Sequence, residues 1–287
     1  MLRRALFAGL TISLAGLPAA SLAYEIKPRT SESAFASRVR PDILGISTDS
    51  TAEAARAIFE SAFKGRLDTK TDIQQQKFGD MEVSYTAALT FEFPSGPNQT
   101  GEVLSSSFTS PASANRAYYI ARNLTFAQDR QPARAEMIKQ VMDKYGTPTI
   151  VGDQHLYYIY RAGRIVSVGV KYKETAALEA IDQPLDPRAA IKLDDANGRG
   201  SCVAMVKRLQ TKEKTLNAML DEAKAANCDG ILSVQLAPGI APERVGNAQF
   251  TLLDFKRIVS AAAIDADALA AEEKERNPTP LGNAPKL

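Results

Sequence analysis

Between Met81 and Phe93 every second residue is apolar: Val83, Tyr85, Ala87, Leu89, Phe91 and Phe93. A period of two sustained over that length lines one face of a strand and cannot make a helical stripe. The run therefore predicts one long strand with an apolar face and a wetter face, the mark of antiparallel sheet. Pro94-Ser-Gly-Pro97 is a turn cluster, and Val103 to Phe108 and Ala117 to Phe126 read as two further strands. In the last of these Tyr118, Ile120, Arg122, Leu124 and Phe126 are expected on one face. Arg122 is the odd member, a charge in an apolar row.

Helical spacing brackets these strands. Ser50 and Glu53 have the spacing of a capping box, Ala55, Ile58, Phe59, Ala62 and Phe63 follow at helical intervals, and Gly65 stops the run. A second helix is punctuated by Pro132 in its expected first turn, an Ala135, Ile138, Val141, Met142 and Tyr145 stripe, a Gly146 cap and Pro148 beyond. Leu156 to Tyr160 and Ile165 to Tyr172 then read as strands joined in a hairpin at Ala162-Gly163. Farther on, Cys202 to Val206 is strand-like. A helix is expected from Thr211 to Asn227, with Leu216, Met219, Leu220 and Ala223 on one side. Strands follow at Ile231 to Leu236 and Ala248 to Leu253. Asp254 caps a last helix with Phe255, Ile258, Val259, Ala262, Ala266 and Leu269 on its apolar face. The fold class expected is α+β: short helices packed on antiparallel sheet, in helix-then-strands units that repeat. The segments are 24–41, flexible; 42–130, the first helix-plus-sheet unit; 131–181, the second; 182–200, a linker or long loop; 201–273, a cysteine-stapled unit with its terminal helix; and 274–287, a disordered tail.

The first 23 residues carry Arg3 and Arg4, an apolar stretch from Leu6 to Leu17, and Ser21-Leu22-Ala23. This is the order of a secretory signal peptide, with cleavage expected after Ala23. The apolar run is shorter than the ~20 residues that span a bilayer. Cleavage would leave 264 of the 287 residues. Losing Arg3 and Arg4 from 35 basic residues would leave 33 against 33 acidic. A formally neutral chain offers no electrostatic case for nucleic acid. The expected location is periplasmic or secreted, a bacterial periplasm first, with no membrane span after cleavage. The partner expected is an envelope protein or another periplasmic component. In that oxidising setting an even pair of cysteines, Cys202 and Cys228, favours one structural disulfide over a redox pair, since no Cys-x-x-Cys occurs. A strand–helix–strand unit would bring the two together.

Asp42-Ile-Leu-Gly45-Ile46 followed by Ser50-Thr-Ala-Glu53, and the helix ending Tyr145-Gly146-Thr147-Pro148, resemble small envelope modules of the β-lactamase-inhibitor-protein-like fold. The outer-membrane assembly lipoproteins of the SmpA/OmlA type are one such group. Paired units with a late Cys pair are also similar to uncharacterised secreted proteobacterial proteins. The resemblance covers 42–172 and implies a short helix followed by a curled antiparallel sheet. It brings no catalytic residue with it.

The chemistry that remains is narrow. One His and two Cys exclude a multi-His metal centre, a Cys-rich zinc module and an iron–sulfur cluster, so no metal or cofactor is expected. Ser61-Ala-Phe-Lys64 has the Ser-x-x-Lys spacing of penicillin-binding proteins, but the Ser-Asp-Asn and Lys-Thr-Gly partners are missing. His155 would have to serve any Ser–His–Asp triad, and no Gly-x-Ser-x-Gly elbow accompanies it. Asp194-Asp195-Ala196-Asn197-Gly198 fails as a calcium loop, because Leu193 and Ala204 fall where carboxylates are required. What stands out is aromatic: Tyr118, Tyr157, Tyr158 and Tyr160 on strands, with Arg122, Arg161 and Arg164 nearby. These seven form a candidate binding surface, against the alternative that the tyrosines are core. The sequence thus points to a non-enzymatic periplasmic binding protein. A hydrolase with an unfamiliar Ser or carboxylate site, and an inhibitor of a secreted enzyme, are the alternatives.

Overall fold

A computed structural model describes residues 27–35, 40–63, 68–78, 81–96, 98–151, 154–165, 202–209 and 213–276. The signal segment, Gly65, the strand expected beyond Ile165, the linker 182–200 and the tail from residue 277 lie outside the described residues. Described are nine strands: β1 (Asp68–Phe78), β2 (Met81–Phe93), β3 (Gly101–Phe108), β4 (Ala117–Thr125), β5 (Ile150–Val151), β6 (His155–Arg161), β7 (Arg164–Ile165), β8 (Gly230–Pro238) and β9 (Val245–Asp254). Five helices accompany them: α1 (Ala52–Phe63), α2 (Arg134–Tyr145), α3 (Cys202–Leu209), α4 (Leu216–Ala225) and α5 (Phe255–Arg276). All the strands join one antiparallel sheet in the order β1-β2-β3-β4-β9-β8-β6-β5, with β7 hairpinned onto β6. The fold is α+β, and each of the three sequence segments contributes strands to the same sheet.

The two faces of the sheet bury separate cores. One side chain in two from β2, β3, β4, β9, β8 and β6 packs beneath α1, α2 and the turn holding Ile43 and Ile46. The opposite face packs Tyr119, Leu253, Ile231 and Ile159 against α3, α4 and α5. Across the first face the register sets Phe91 beside Leu104, Leu104 beside Arg122, Arg122 beside Phe250, Phe250 beside Val234 and Val234 beside Leu156. Arg122 is therefore the one charge in a six-strand apolar row.

Several expectations need adjusting, each for a local reason. The first helix is capped by Thr51, whose Oγ1 accepts the Ala54 amide at 3.2 Å, while Ser50 Oγ accepts from Ser47 instead. Pro132 precedes α2 rather than opening it, and Ala133 is the cap residue. Gly146 ends α2 as expected, with φ of 81° and its amide donating to Met142 O at 2.8 Å. Cys202 to Val206 is not a strand: Cys202, Met205, Val206 and Leu209 are all buried, at the i, i+3, i+4, i+7 spacing of α3. The helix expected from Thr211 begins as α4 at Leu216, where Thr215 Oγ1 accepts from Ala218 at 3.3 Å. In α5 the fully buried apolar positions are Phe255, Ile258, Ala261 and Ile264. Ala266 is exposed, and the helix runs on to Arg276, past Lys274 where the tail was expected to begin. β1 escapes the periodicity reading altogether, because an edge strand of Thr, Lys and Gln carries no apolar alternation.

A further adjustment is at Tyr118. Ser107 pairs with Tyr119 while Phe108 pairs with Ala117, so Tyr118 is an extra residue in β4. A bulge of this kind puts consecutive side chains on one face. Ala117 and Ile120 stay in the first core, whereas Tyr118 and Tyr119 both enter the second. Tyr118 does not share a face with Ile120 and Leu124.

Cys202 and Cys228 are bonded, with Cα atoms 6.0 Å apart, within the ordinary span of a disulfide. The bridge ties the start of α3 to the residues that lead into β8, so the unit it staples is helix–helix–strand rather than strand–helix–strand. At the junction of β9 and α5 a buried charge cluster holds the amino-terminal stretch in place. Asp254, fully buried, accepts from Ser33 Oγ (2.6 Å), Ala34 N (2.9 Å) and Arg257 N (2.9 Å). Arg257, 1% exposed, pairs with Asp254 and with Asp49, which in turn holds Arg40. Removing Asp254 leaves the buried Arg257 guanidinium short of a partner where water does not reach it. Asp254→Ala is expected to cost about 3–5 kcal/mol in urea unfolding. A loss under about 1 kcal/mol would mean that the cluster is not closed to solvent.

Candidate functional site

The seven residues singled out in the sequence do not form one surface. Tyr157 enters the second core, Tyr158 and Tyr160 the first, and Tyr118 the second through its bulge. All four are buried, none more than 6% exposed. The phenols are tethered inward: Tyr118 OH donates to Lys214 O at 2.8 Å, and Tyr158 OH to Gly146 O at 3.0 Å. Burial pushes the Tyr160 phenol up to about 12, and it raises Tyr158 as well, reinforced by Tyr160 and Tyr145. Neighbouring Tyr119 is likewise pushed up to about 12 by burial. Arg161 and Arg164 lie at the β6–β7 hairpin, where Ala162 and Gly163 both have positive φ. Arg161 donates through Nε to Asn227 O at 2.7 Å, which ties the hairpin to the end of α4.

Tyr118 borders a recess at the start of α4, and Arg122 faces an open space of its own. The space is a groove of about 350 Å³ between α2 and the sheet. Leu124, Phe126 and Phe250 form its floor with Arg122, Met137 and Val141 its α2 wall, and Ile43 and Leu44 its far side. Gln140, Lys144 and Tyr145 complete the lining. The local sequence explains this shape. The α2 stripe turns Met137, Ile138 and Val141 onto the sheet, and the Asp42–Ile46 turn closes one end. That turn is held by paired bonds between Ile43 and Ile46 and by Asp42 Oδ1, which accepts the Gly45 amide at 2.7 Å and Lys144 Nζ at 2.9 Å. Tyr145 OH donates to Asp42 O at 2.7 Å. Burial raises the Tyr145 phenol, the Asp42 carboxylate adds to the rise, and the Arg122 guanidinium opposes it.

Arg122 is a costly residue to place here. Its side chain is 25% exposed and lies among Leu104, Leu124 and Phe250. One acid answers it: Glu102, 13% exposed, whose Oε1 accepts from Nε at 2.5 Å. A guanidinium on an apolar face is retained only with such pairing. The groove was not legible from the sequence, although Arg122's misfit in the row was the signal for it.

The remaining sequence candidates fall elsewhere. His155 is half-buried at the start of β6 and stacks on Tyr157 with ring centroids 5.4 Å apart. Ser61 is exposed on α1, while Lys64 and the Asp194–Gly198 stretch lie outside the described residues. A second recess, of about 400 Å³, sits where Tyr85, Phe108 and Tyr118 meet the start of α4. Among the described residues there is no group of three or more His, Cys, Asp or Glu side chains able to hold a metal ion, and no helix long and apolar enough to cross a membrane.

Comparison with family models, with curated proteins and with solved structures finds no match. The resemblance to envelope modules therefore rests on the short motifs quoted above.

The tyrosine placement has a spectroscopic consequence. The chain holds nine tyrosines. Those with raised folded values stay neutral in the native protein while the unfolded chain ionises near 10. Stability from them is intact below pH 10 and is lost as pH rises toward 12. An alkaline absorbance titration should show a class of phenols that ionises only above 10, as the fold is lost. A single transition of all nine near 10 would place these rings on the surface instead.

Proposed function

We propose that this chain is a non-enzymatic periplasmic binding protein and that the groove between α2 and the sheet is its ligand site. The observation that carries the reading is the groove's lining. It is mostly apolar with a few converging polar groups, the usual composition of a small-molecule or side-chain site. Its polar lining groups, Arg122, Gln140, Lys144 and Tyr145, are of types that can bind and orient a ligand. The export leg of the proposal rests on residues 1–23, and the Cys202–Cys228 bridge is compatible with an oxidising compartment. The sheet remains the platform, as its sequence suggests. Its contribution is an apolar floor bearing one arginine, with the tyrosines serving as core beneath and beside it.

Gln140 offers a clean test, since it lines the groove from an exposed position of α2. Gln140→Trp covers the groove mouth without entering the core. The neutral dye N-phenylnaphthylamine should brighten with the native protein, and the variant should bind it roughly tenfold more weakly at unchanged melting temperature. Equal brightening by both proteins would remove the groove from the account. The hydrolase alternative predicts something different: turnover of peptidoglycan, ester or peptide substrates that is lost in His155→Ala.

A further inference from the structure

Taking the groove as a ligand site, we propose that its ligand class is the single-chain amphiphile with an anionic head. The head would be set against Arg122 and the hydrocarbon laid along Leu124, Val141 and Phe250. Charge complementarity points that way. The lining includes two cations, Arg122 and Lys144, and no acid; the carboxylates that pair with them, Glu102 and Asp42, stand outside it. The two cations differ in standing. Lys144 is 44% exposed at the rim and is held by Asp42. Arg122 is set into the apolar floor, where Glu102 takes only its Nε, and among the described contacts its two Nη groups meet no acceptor.

The alternatives fare worse on the same geometry. A neutral chain filling the groove would lay hydrocarbon over those Nη groups and strip their water without replacing it, at the cost of an unpaired polar group. A cationic head would meet Arg122 directly. An anion instead completes the guanidinium's donor set, sharing it with Glu102 in the charge-assisted geometry that Arg favours. The volume of about 350 Å³ is at the small end for a binding site, which suits one chain and not a paired-chain lipid. Carboxylate and phosphate heads share this chemistry, so both belong in the test.

Isothermal titration of the full chain would use four probes of equal chain length, each below its micellar concentration: decanoate, decyl phosphate, decanol and decyltrimethylammonium. At least one anion should bind roughly tenfold tighter than decanol, with the cation weakest, and the advantage should shrink as salt is raised. The tighter of the two anions names the head group. The double variant Arg122→Met with Glu102→Gln removes both charges together and so leaves no orphaned partner. It should bring the anions down to the decanol level while N-phenylnaphthylamine still binds, and that dye reports that the groove is intact. Decanol binding as tightly as the anions, or an anion preference that survives the double variant, overturns the ligand class and leaves the groove as a site. Failure of all four probes alongside retained dye binding has the same meaning. If the dye is not bound either, the groove reading falls with it.

Discussion

The pairing of β4 with β9 is the interaction on which the rest of the molecule depends. Tyr119 through Thr125 lie antiparallel to Asn247 through Leu253, and this seam joins the four amino-terminal strands to the carboxy-terminal ones. Without it there would be two small sheets, each with an open edge and an unfinished core. With it, residues far apart in the chain alternate across a continuous surface, so that α1 and α2 can cover one face and α3 to α5 the other. The Asp254–Arg257 cluster sits where β9 turns into α5, and it fastens the stretch around Ser33 and Ala34 to the end of the seam. The groove is a product of the same pairing, because its floor is Arg122 and Leu124 from β4 beside Phe250 from β9.

Much of the fold was legible because a half-buried element writes its period into the chain. β2 announces itself through six alternating apolar residues, and α2 through its stripe and the Gly146 cap. The failures have physical causes. β1 is an edge strand that pairs by backbone alone on one side, so its Thr-Lys-Thr-Asp-Ile-Gln-Gln-Gln-Lys sequence shows no alternation. In α3 the short apolar run from Cys202 to Val206 fits either period, and only Leu209, three residues beyond it, decides for helix. The bulge at Tyr118 is set by a register shift against Ser107 and Phe108 on the partner strand, which no periodicity within β4 can reveal.

The candidate site was legible in one residue. Arg122 breaks the apolar alternation of its strand, and that misfit survives into the structure as a guanidinium half-sunk in an apolar floor. The tyrosines mislead for the opposite reason: a large amphipathic ring suits a binding face and a core equally well, and here the core claims Tyr118, Tyr157, Tyr158 and Tyr160. The groove itself depends on α2 lying beside the β4 and β9 residues of the seam, a tertiary fact with no local signature.

The central claim is that a ligand's hydrocarbon lies between α2 and the β4–β9 seam. Isotope-filtered nuclear Overhauser spectra of the protein with a saturating alkyl ligand test it most directly. The account predicts cross-peaks from the chain's methylene protons to the methyls of Leu124, Val141 and Leu44, which line the groove. Cross-peaks confined to Leu216 and the rings of Tyr85 and Tyr118, in the recess on the opposite side of the sheet, would contradict it.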